Sequence, residues 1–196
     1  SSRLGLIGLN TVLHQRTAAE LGAPQAINLL KHELSFFPLL YWPILEENKF
    51  DNDGVKSKVL EYLKNGGTIL FDTRDTPYRA IGGNKALHKI ASELRLPDLR
   101  PIPKGHALSK AFYLLKSYPG RWAGGQVWVE QNSSRLRDRV SSVIVGSHDW
   151  AGAWAIDRLG RALLPVVPGG ERQRELAYRF GVNLVMYVLT GNYKND

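Results

Sequence analysis

A helix, a glycine stop and a short apolar strand follow one another after Asp53, and this unit limits the fold more than any other segment. The helix is indicated by apolar residues at helical spacing, at Val55, Val59, Leu60 and Leu63. Asn65-Gly66-Gly67 ends it, and the run from Thr68 to Phe71 is apolar on both faces. Such a unit is typical of α/β proteins with a mostly parallel sheet.

Similar patterns along the chain predict a three-layer sandwich, in which helices cover both faces of one sheet with at least four parallel strands. We expect strands at residues 34–42, 68–71, 127–129, 142–145 and 163–167, and further helices at residues 2–15, after residue 84 and at residues 171–189. No repeat, low-complexity tract or boundary interrupts the 196 residues, so we expect one domain over residues 1–196.

Several kinds of chemistry are excluded or disfavoured by what the sequence lacks. Without cysteine, the chain forms no disulfide, thiolate zinc site, iron–sulfur cluster or cysteine nucleophile. It has no Gly-x-Ser-x-Gly elbow, no Gly-x-Gly-x-x-Gly fingerprint and no Walker loop. Its longest apolar stretch, residues 182–189, is far shorter than the ~20 residues of a membrane span.

The chain is basic, with 26 Lys and Arg against 18 Asp and Glu and a net charge of +8. Most of the excess lies after residue 100. A basic surface attracts nucleic acid, anionic lipid or an acidic partner. No nucleic-acid-binding motif is present, which argues against nucleic acid as a partner. An anionic membrane surface is the other candidate, and we expect its attraction to be weak and sensitive to salt.

Polar side chains follow two of the predicted strands, where ligands of open α/β sheets bind. The candidate ligand-binding residues are Asp72, Arg74, Asp75, His106, His148 and Asp149. If they converge, Arg74 is the natural partner of the two nearby carboxylates, and His106 is a proton carrier in an enzyme or an orienting group in a binding site. Each also has a structural interpretation: the aspartates as turn caps, Arg74 in a surface ion pair, both histidines in loops.

Two further ligand sites are chemically reasonable. Gly169-Gly170 with Arg172 and Arg174 opens the last helix and could hold an anion, although an ordinary helix start with exposed arginines is the favoured interpretation. Oxygen and imidazole ligands for a metal are available from Asp72, Asp75, His106 and Asp149, but their spacing matches no known metal motif. The cofactor and the metal therefore stay unknown.

Four segments together resemble an uncharacterised bacterial family of class I glutamine amidotransferase-like domains. The first two are Phe36-Phe37-Pro38-Leu39-Leu40-Tyr41-Trp42-Pro43 and Gly66-Gly67-Thr68-Ile69-Leu70-Phe71-Asp72. The others are His106-Ala107-Leu108 followed by Phe112-Tyr113, and Gly181-Val182-Asn183-Leu184 leading to Tyr187-Val188-Leu189-Thr190. The resemblance implies a flavodoxin-like sandwich with a mostly parallel sheet. The chain begins abruptly inside a predicted helix, so we expect it to be a fragment of a longer protein. Members of the family usually have a strand before the first helix, and we expect this chain to lack that strand.

The same resemblance implies a setting. Members are often the C-terminal domain of BatA-like membrane proteins that are linked with MoxR-type ATPases. We therefore expect a membrane-associated domain on the cytoplasmic side, with other domains of the same protein as partners. An active amidotransferase needs a cysteine at the turn after a central strand. Here the corresponding turn carries Asp72 to Asp75.

The sequence leaves more than one function open. The first hypothesis is a non-catalytic, amidotransferase-like ligand-binding or protein-interaction domain of a membrane-anchored assembly. The alternative is a hydrolase-type enzyme that uses Asp72, Asp75 and His106, with or without a metal. A third hypothesis is a basic surface module for anionic lipid or nucleic acid.

Overall fold

Five strands form one sheet in the computed structural model, which describes residues 1–45, 52–75, 84–131 and 142–193. The strands are β1 (Leu39–Pro43), β2 (Thr68–Asp72), β3 (Leu99–Pro101), β4 (Trp128–Glu130) and β5 (Val143–Gly146). The helices are α1 (Ser2–Arg16), α2 (Asp53–Lys64), α3 (Lys85–Glu93), α4 (Trp150–Trp154) and α5 (Gly170–Tyr193). None of the described helices is both long and apolar enough to cross a membrane.

The sheet is mixed, which corrects the expectation of a mostly parallel one. Its strand order is β1-β2-β5-β4-β3. The two pairings among β1, β2 and β5 are parallel, whereas β4 is antiparallel to both of its neighbours. An antiparallel neighbour needs no helical crossover. The segment between β3 and β4 accordingly contains only a three-residue 3-10 helix, Ala107–Ser109.

Helices cover the two faces of the sheet, as the sequence predicts, and β2 is therefore buried on both sides. Its Ile69 and Phe71 belong to a core with Val59 of α2 and Ile90 of α3. On the opposite face, Leu70 belongs to a larger core. That core contains Leu9 of α1, Trp154 of α4 and Phe180 of α5. Alternate residues of one strand thus anchor two helical layers.

Two predicted strands differ from the structure, and proline explains both differences. The run at residues 34–42 begins with a 3-10 helix, Leu34–Phe36, and its strand starts only after Pro38. Residues 163–167 form no strand, but only an isolated bridge from Val167 to Trp122. Pro165 and Pro168 remove two backbone donors from this segment, which limits ladder formation.

Helix α1 lies directly against the backbone of α4, and two glycines make this approach possible. A side-chain carbon at Gly5 would collide with the carbonyl oxygen of Ala151. One at Gly8 would collide with the carbonyl oxygen of Trp154. Both atoms belong to backbone, so the clash cannot be relieved by a rotamer change.

We expect Gly8→Ala to lower the free energy of unfolding by about 2 kcal/mol or more, because an added methyl forces two packed helices apart. Gly22→Ala is the matched control, since a side-chain carbon there would meet no atom within contact distance. Urea denaturation of both variants measures the difference. Equal stabilities would show that the α1–α4 contact adapts without cost.

Candidate functional site

The parallel pairing of β2 with β5 brings the two polar strand ends together. Asp72, the last residue of β2, lies opposite Gly146, the last residue of β5. The chain then continues from β5 through Ser147, His148 and Asp149 into α4. The carboxyl edge of the sheet therefore carries three of the predicted residues within a few positions of one another.

Asp72 is fully buried and holds this edge together through four hydrogen bonds. Its Oδ1 accepts from the backbone N–H groups of Arg74 (3.0 Å) and Asp149 (3.2 Å). Its Oδ2 accepts from the Tyr41 hydroxyl (2.6 Å) and the Trp150 N–H (2.9 Å). Burial raises the pKa of Asp72 to about 6, although these donors favour the charged form. Both carboxylate oxygens are thus fully used by donors of the protein itself, and we call this set of four hydrogen bonds the Asp72 clamp.

Asp149 caps α4 and forms ion pairs with Arg74 and Arg121. It has left-handed backbone angles (φ 49°, ψ 55°), and its side chain accepts from the Gly152 N–H at 3.2 Å. Its carboxylate lies 3.7 Å from Arg74 Nε and 3.5 Å from Arg121 Nη1. Arg74 also donates to the Ser2 hydroxyl. The Arg74 side chain therefore pairs with Asp149, whereas the sequence predicted Asp72 and Asp75.

His148 is buried rather than exposed in a loop. Its ring stacks on Trp150 with centroids 4.6 Å apart, and its Nδ1 accepts from the Ser147 N–H at 3.3 Å. Burial lowers its pKa to about 4, so the ring is neutral at pH 7. A neutral ring whose Nδ1 accepts carries its proton on Nε2, the atom that lies against Gly125.

His106 contacts different elements from Asp72 and Asp149. Its Nδ1 accepts from the Leu108 N–H at 3.1 Å, which caps a 3-10 helix. Its ring packs on Tyr187 of α5 with centroids 5.6 Å apart. Partial burial, and to a lesser degree the charge of Arg100, lower its pKa.

Asp75 is held on the opposite face of the sheet from His106. Its carboxylate accepts from Asn84 Nδ2 at 2.8 Å, beside the N-terminus of α3. Helix α3 packs on one face and α5 on the other. The structure thus joins Asp72 to Asp149 and Arg74 but anchors Asp75 and His106 to separate layers. In the described part of the chain, no three His, Asp or Glu side chains are grouped to hold a metal ion.

A cavity of about 780 Å³ opens beside His148. It lies among the loop after β3, the segment before β4 and the first turns of α5. Gly124 and Gly125, both with positive φ (78° and 82°), form part of its rim. Sequence reasoning missed this loop, since two adjacent glycines match no binding motif; the pair itself was the only signal.

The glycine pair at the start of α5 meets the same cavity. Gly169 and Arg172 line it, together with the buried Gln173. Arg174 does not, because its guanidinium is buried and donates to the carbonyl oxygens of Ala153 and Leu164, both at 2.8 Å. Of the two arginines predicted at this helix start, only Arg172 is therefore available to a ligand in the cavity.

We expect Asp72→Asn to lower the free energy of unfolding by about 2 kcal/mol or more. Each Asp72 oxygen accepts from two donors, so an amide nitrogen in either position faces donors and leaves them unpaired. Asp53→Asn, at an exposed position with only a 3.7 Å pair to Lys56, should cost a few tenths of a kcal/mol. Urea denaturation at pH 7 compares them, and equal losses would contradict the clamp.

His148 and Asp72 respond to acid in opposite directions. The pKa of His148 lies at about 4, below its usual 6.5, so the folded state loses stability as pH falls from 6.5 towards 4. The pKa of Asp72 lies at about 6, above its usual 3.8, so the folded state gains stability as pH falls from 6 towards 3.8. In the wild-type protein the two contributions largely offset each other.

His148→Asn removes one of these contributions. On going from pH 7 to pH 4.5, the variant should become about 2 kcal/mol more stable relative to wild type, because it no longer carries the acid-dependent loss of stability that the lowered pKa of His148 causes. Urea denaturation at both pH values measures the change, with the exposed His14→Asn as control. A variant whose pH dependence parallels the wild type would show that His148 accepts a proton in the fold without penalty.

Comparison with known proteins adds a family to this geometry. A search of curated proteins found no match. A family model described as Domain of unknown function (DUF4159) matches residues 1–189, nearly the whole chain. The match includes β1, β2, β5 and the residues of the cavity. The chain therefore belongs to the DUF4159 family.

Proposed function

We propose that this domain binds a small ligand in the cavity beside His148 and carries out no chemistry on it. The observation that carries the proposal is that the aspartates at the carboxyl edge of the sheet make structural contacts, whereas an open cavity lies beside them. Asp72 and Asp149 are occupied by the backbone of α4 and by two arginines. The adjacent cavity is bordered mainly by loops and the start of α5.

The size and place of the cavity support a ligand site. Its volume of about 780 Å³ lies within the range of pockets for small molecules, roughly 300 to 1,000 Å³. It lies beyond the carboxyl end of β5, where ligands of open α/β sheets bind. Its wall also combines apolar side chains such as Leu115, Val127 and Leu176 with a few polar groups.

The hydrolase alternative has less support. It requires Asp72, Asp75 and His106 to act on one substrate, but Asp75 contacts Asn84 and His106 packs on α5. General acid–base catalysis needs its groups within hydrogen-bond reach of the same reacting atoms. The four donors on Asp72 also occupy the acceptor positions that a catalytic base would use.

The wider setting is part of the proposal. The parallel half of the sheet, β1-β2-β5, is the part that an amidotransferase-like, flavodoxin-like relative would share. In this setting the domain belongs to a membrane-anchored BatA-like protein on the cytoplasmic side and works with a MoxR-type ATPase. The ligand or the neighbouring domains would then regulate that assembly.

The binding proposal predicts that filling the cavity abolishes ligand uptake. Ser117 is exposed on the cavity wall, and Ser117→Trp should eliminate binding of aromatic fragments without loss of stability. Ligand-observed NMR with a set of small aromatic fragments measures uptake. Ser57→Trp, on the exposed side of α2, is the control and should bind as the wild type does.

Two outcomes would contradict the proposal. Fragments that bind wild type and Ser117→Trp equally would place the ligand site elsewhere. A fragment set in which nothing binds the wild-type protein would leave the cavity without a ligand-binding role.

A further inference from the structure

We propose that the ligand of this cavity is an organic oxyanion, an apolar or aromatic body carrying a phosphate or carboxylate group; the inference rests on the proposed function. Two properties of the wall lead to it. One is the sign of its charges, and the other is the separation of its charged rim from an apolar interior.

Every charged residue that lines the cavity within the described ranges is a cation. Lys104 follows β3, Lys116 precedes β4, and Arg172 lies in the first turn of α5. No Asp or Glu of the described chain is among the lining residues. His148 adds no charge at pH 7, because burial lowers its pKa. Three cations from three separate segments therefore act on the same space, with no described acidic residue in the wall.

The α5 terminus adds to this field. Helix α5 has 24 residues, and Gly169, Arg172 and Gln173 at its start line the cavity. The N-terminal end of a helix carries a partial positive charge from its aligned peptide dipoles. Gln173 is already occupied by its bonds to Gly169 and Gly120. It therefore fixes the helix start against the 120–125 loop instead of binding a ligand.

The rest of the wall favours an apolar body. Ile102, Leu115, Tyr118, Val127 and Leu176 line the cavity. Leu115 and Val127 are buried, whereas the three cations are exposed at its edge. A ligand that places a ring against the apolar side chains thus directs its charged group towards the basic rim. An inorganic anion would leave most of the cavity unfilled.

The test uses three probes that share one ring: phenyl phosphate, benzoate and phenol. Isothermal titration at low salt should give tighter binding of the two anions than of phenol. The ratio of the dissociation constants of phenyl phosphate and benzoate distinguishes a phosphate site from a carboxylate site. Lys116→Gln and Arg172→Gln should each weaken anion binding about two- to fivefold, as expected for exposed charge pairs. Phenol binding should not change. Lys110→Gln and Arg158→Gln, exposed outside the cavity lining, are the matched controls.

The outcomes separate this inference from the function on which it rests. Equal binding of phenol and phenyl phosphate, both lost in Ser117→Trp, overturns the oxyanion and keeps the ligand site. Anion binding that falls equally in the cavity and control variants overturns it as general surface attraction. Failure of all three probes to bind also overturns it. Release of inorganic phosphate from phenyl phosphate would instead contradict the non-catalytic function and leave the charge preference intact.

Discussion

The buried carboxylate of Asp72 is the interaction on which the carboxyl edge of this sheet depends. One side chain accepts from β1 through Tyr41, from its own following turn, and from the first two residues of the segment that begins α4. A buried carboxylate is costly unless its lone pairs are satisfied. Here satisfying them fixes the relative positions of two strands and a helix.

From this clamp, an aromatic series extends towards α5. His148 stacks on Trp150, Trp150 stacks on Phe180 with centroids 4.6 Å apart, and Phe180 meets Tyr118 edge-on at 5.7 Å. Tyr118 and His148, the two ends of the series, both line the cavity. The cavity wall is thus continuous with the buried core, which explains why a cavity open to the surface has a buried histidine in its wall.

The fold was predictable from sequence wherever a local pattern decides it. The unit of α2, glycine stop and β2 follows from spacing and from Asn65-Gly66-Gly67, and β5 follows from an apolar run. The direction of β4 was not predictable, because it depends on which strand lies beside it in space. The site was predictable only to the level of the strand end. Which cation pairs with Asp149, and that His106 lies against α5, depend on contacts between residues far apart in the chain.

Arg74 and Asp149 both have left-handed backbone angles, with φ of 56° and 49°. This conformation is unfavourable for residues other than glycine, and among these aspartate and asparagine tolerate it best. Both residues donate their N–H groups to Asp72. The strained angles aim these donors at the carboxylate, and the hydrogen bonds in turn stabilise the strained angles. The consequence is preorganisation: hydrogen bonds to Asp72 already hold the backbone of the edge beside the cavity in place. Binding there would cost little conformational entropy on this side, and any adjustment would fall to the loops of the opposite rim.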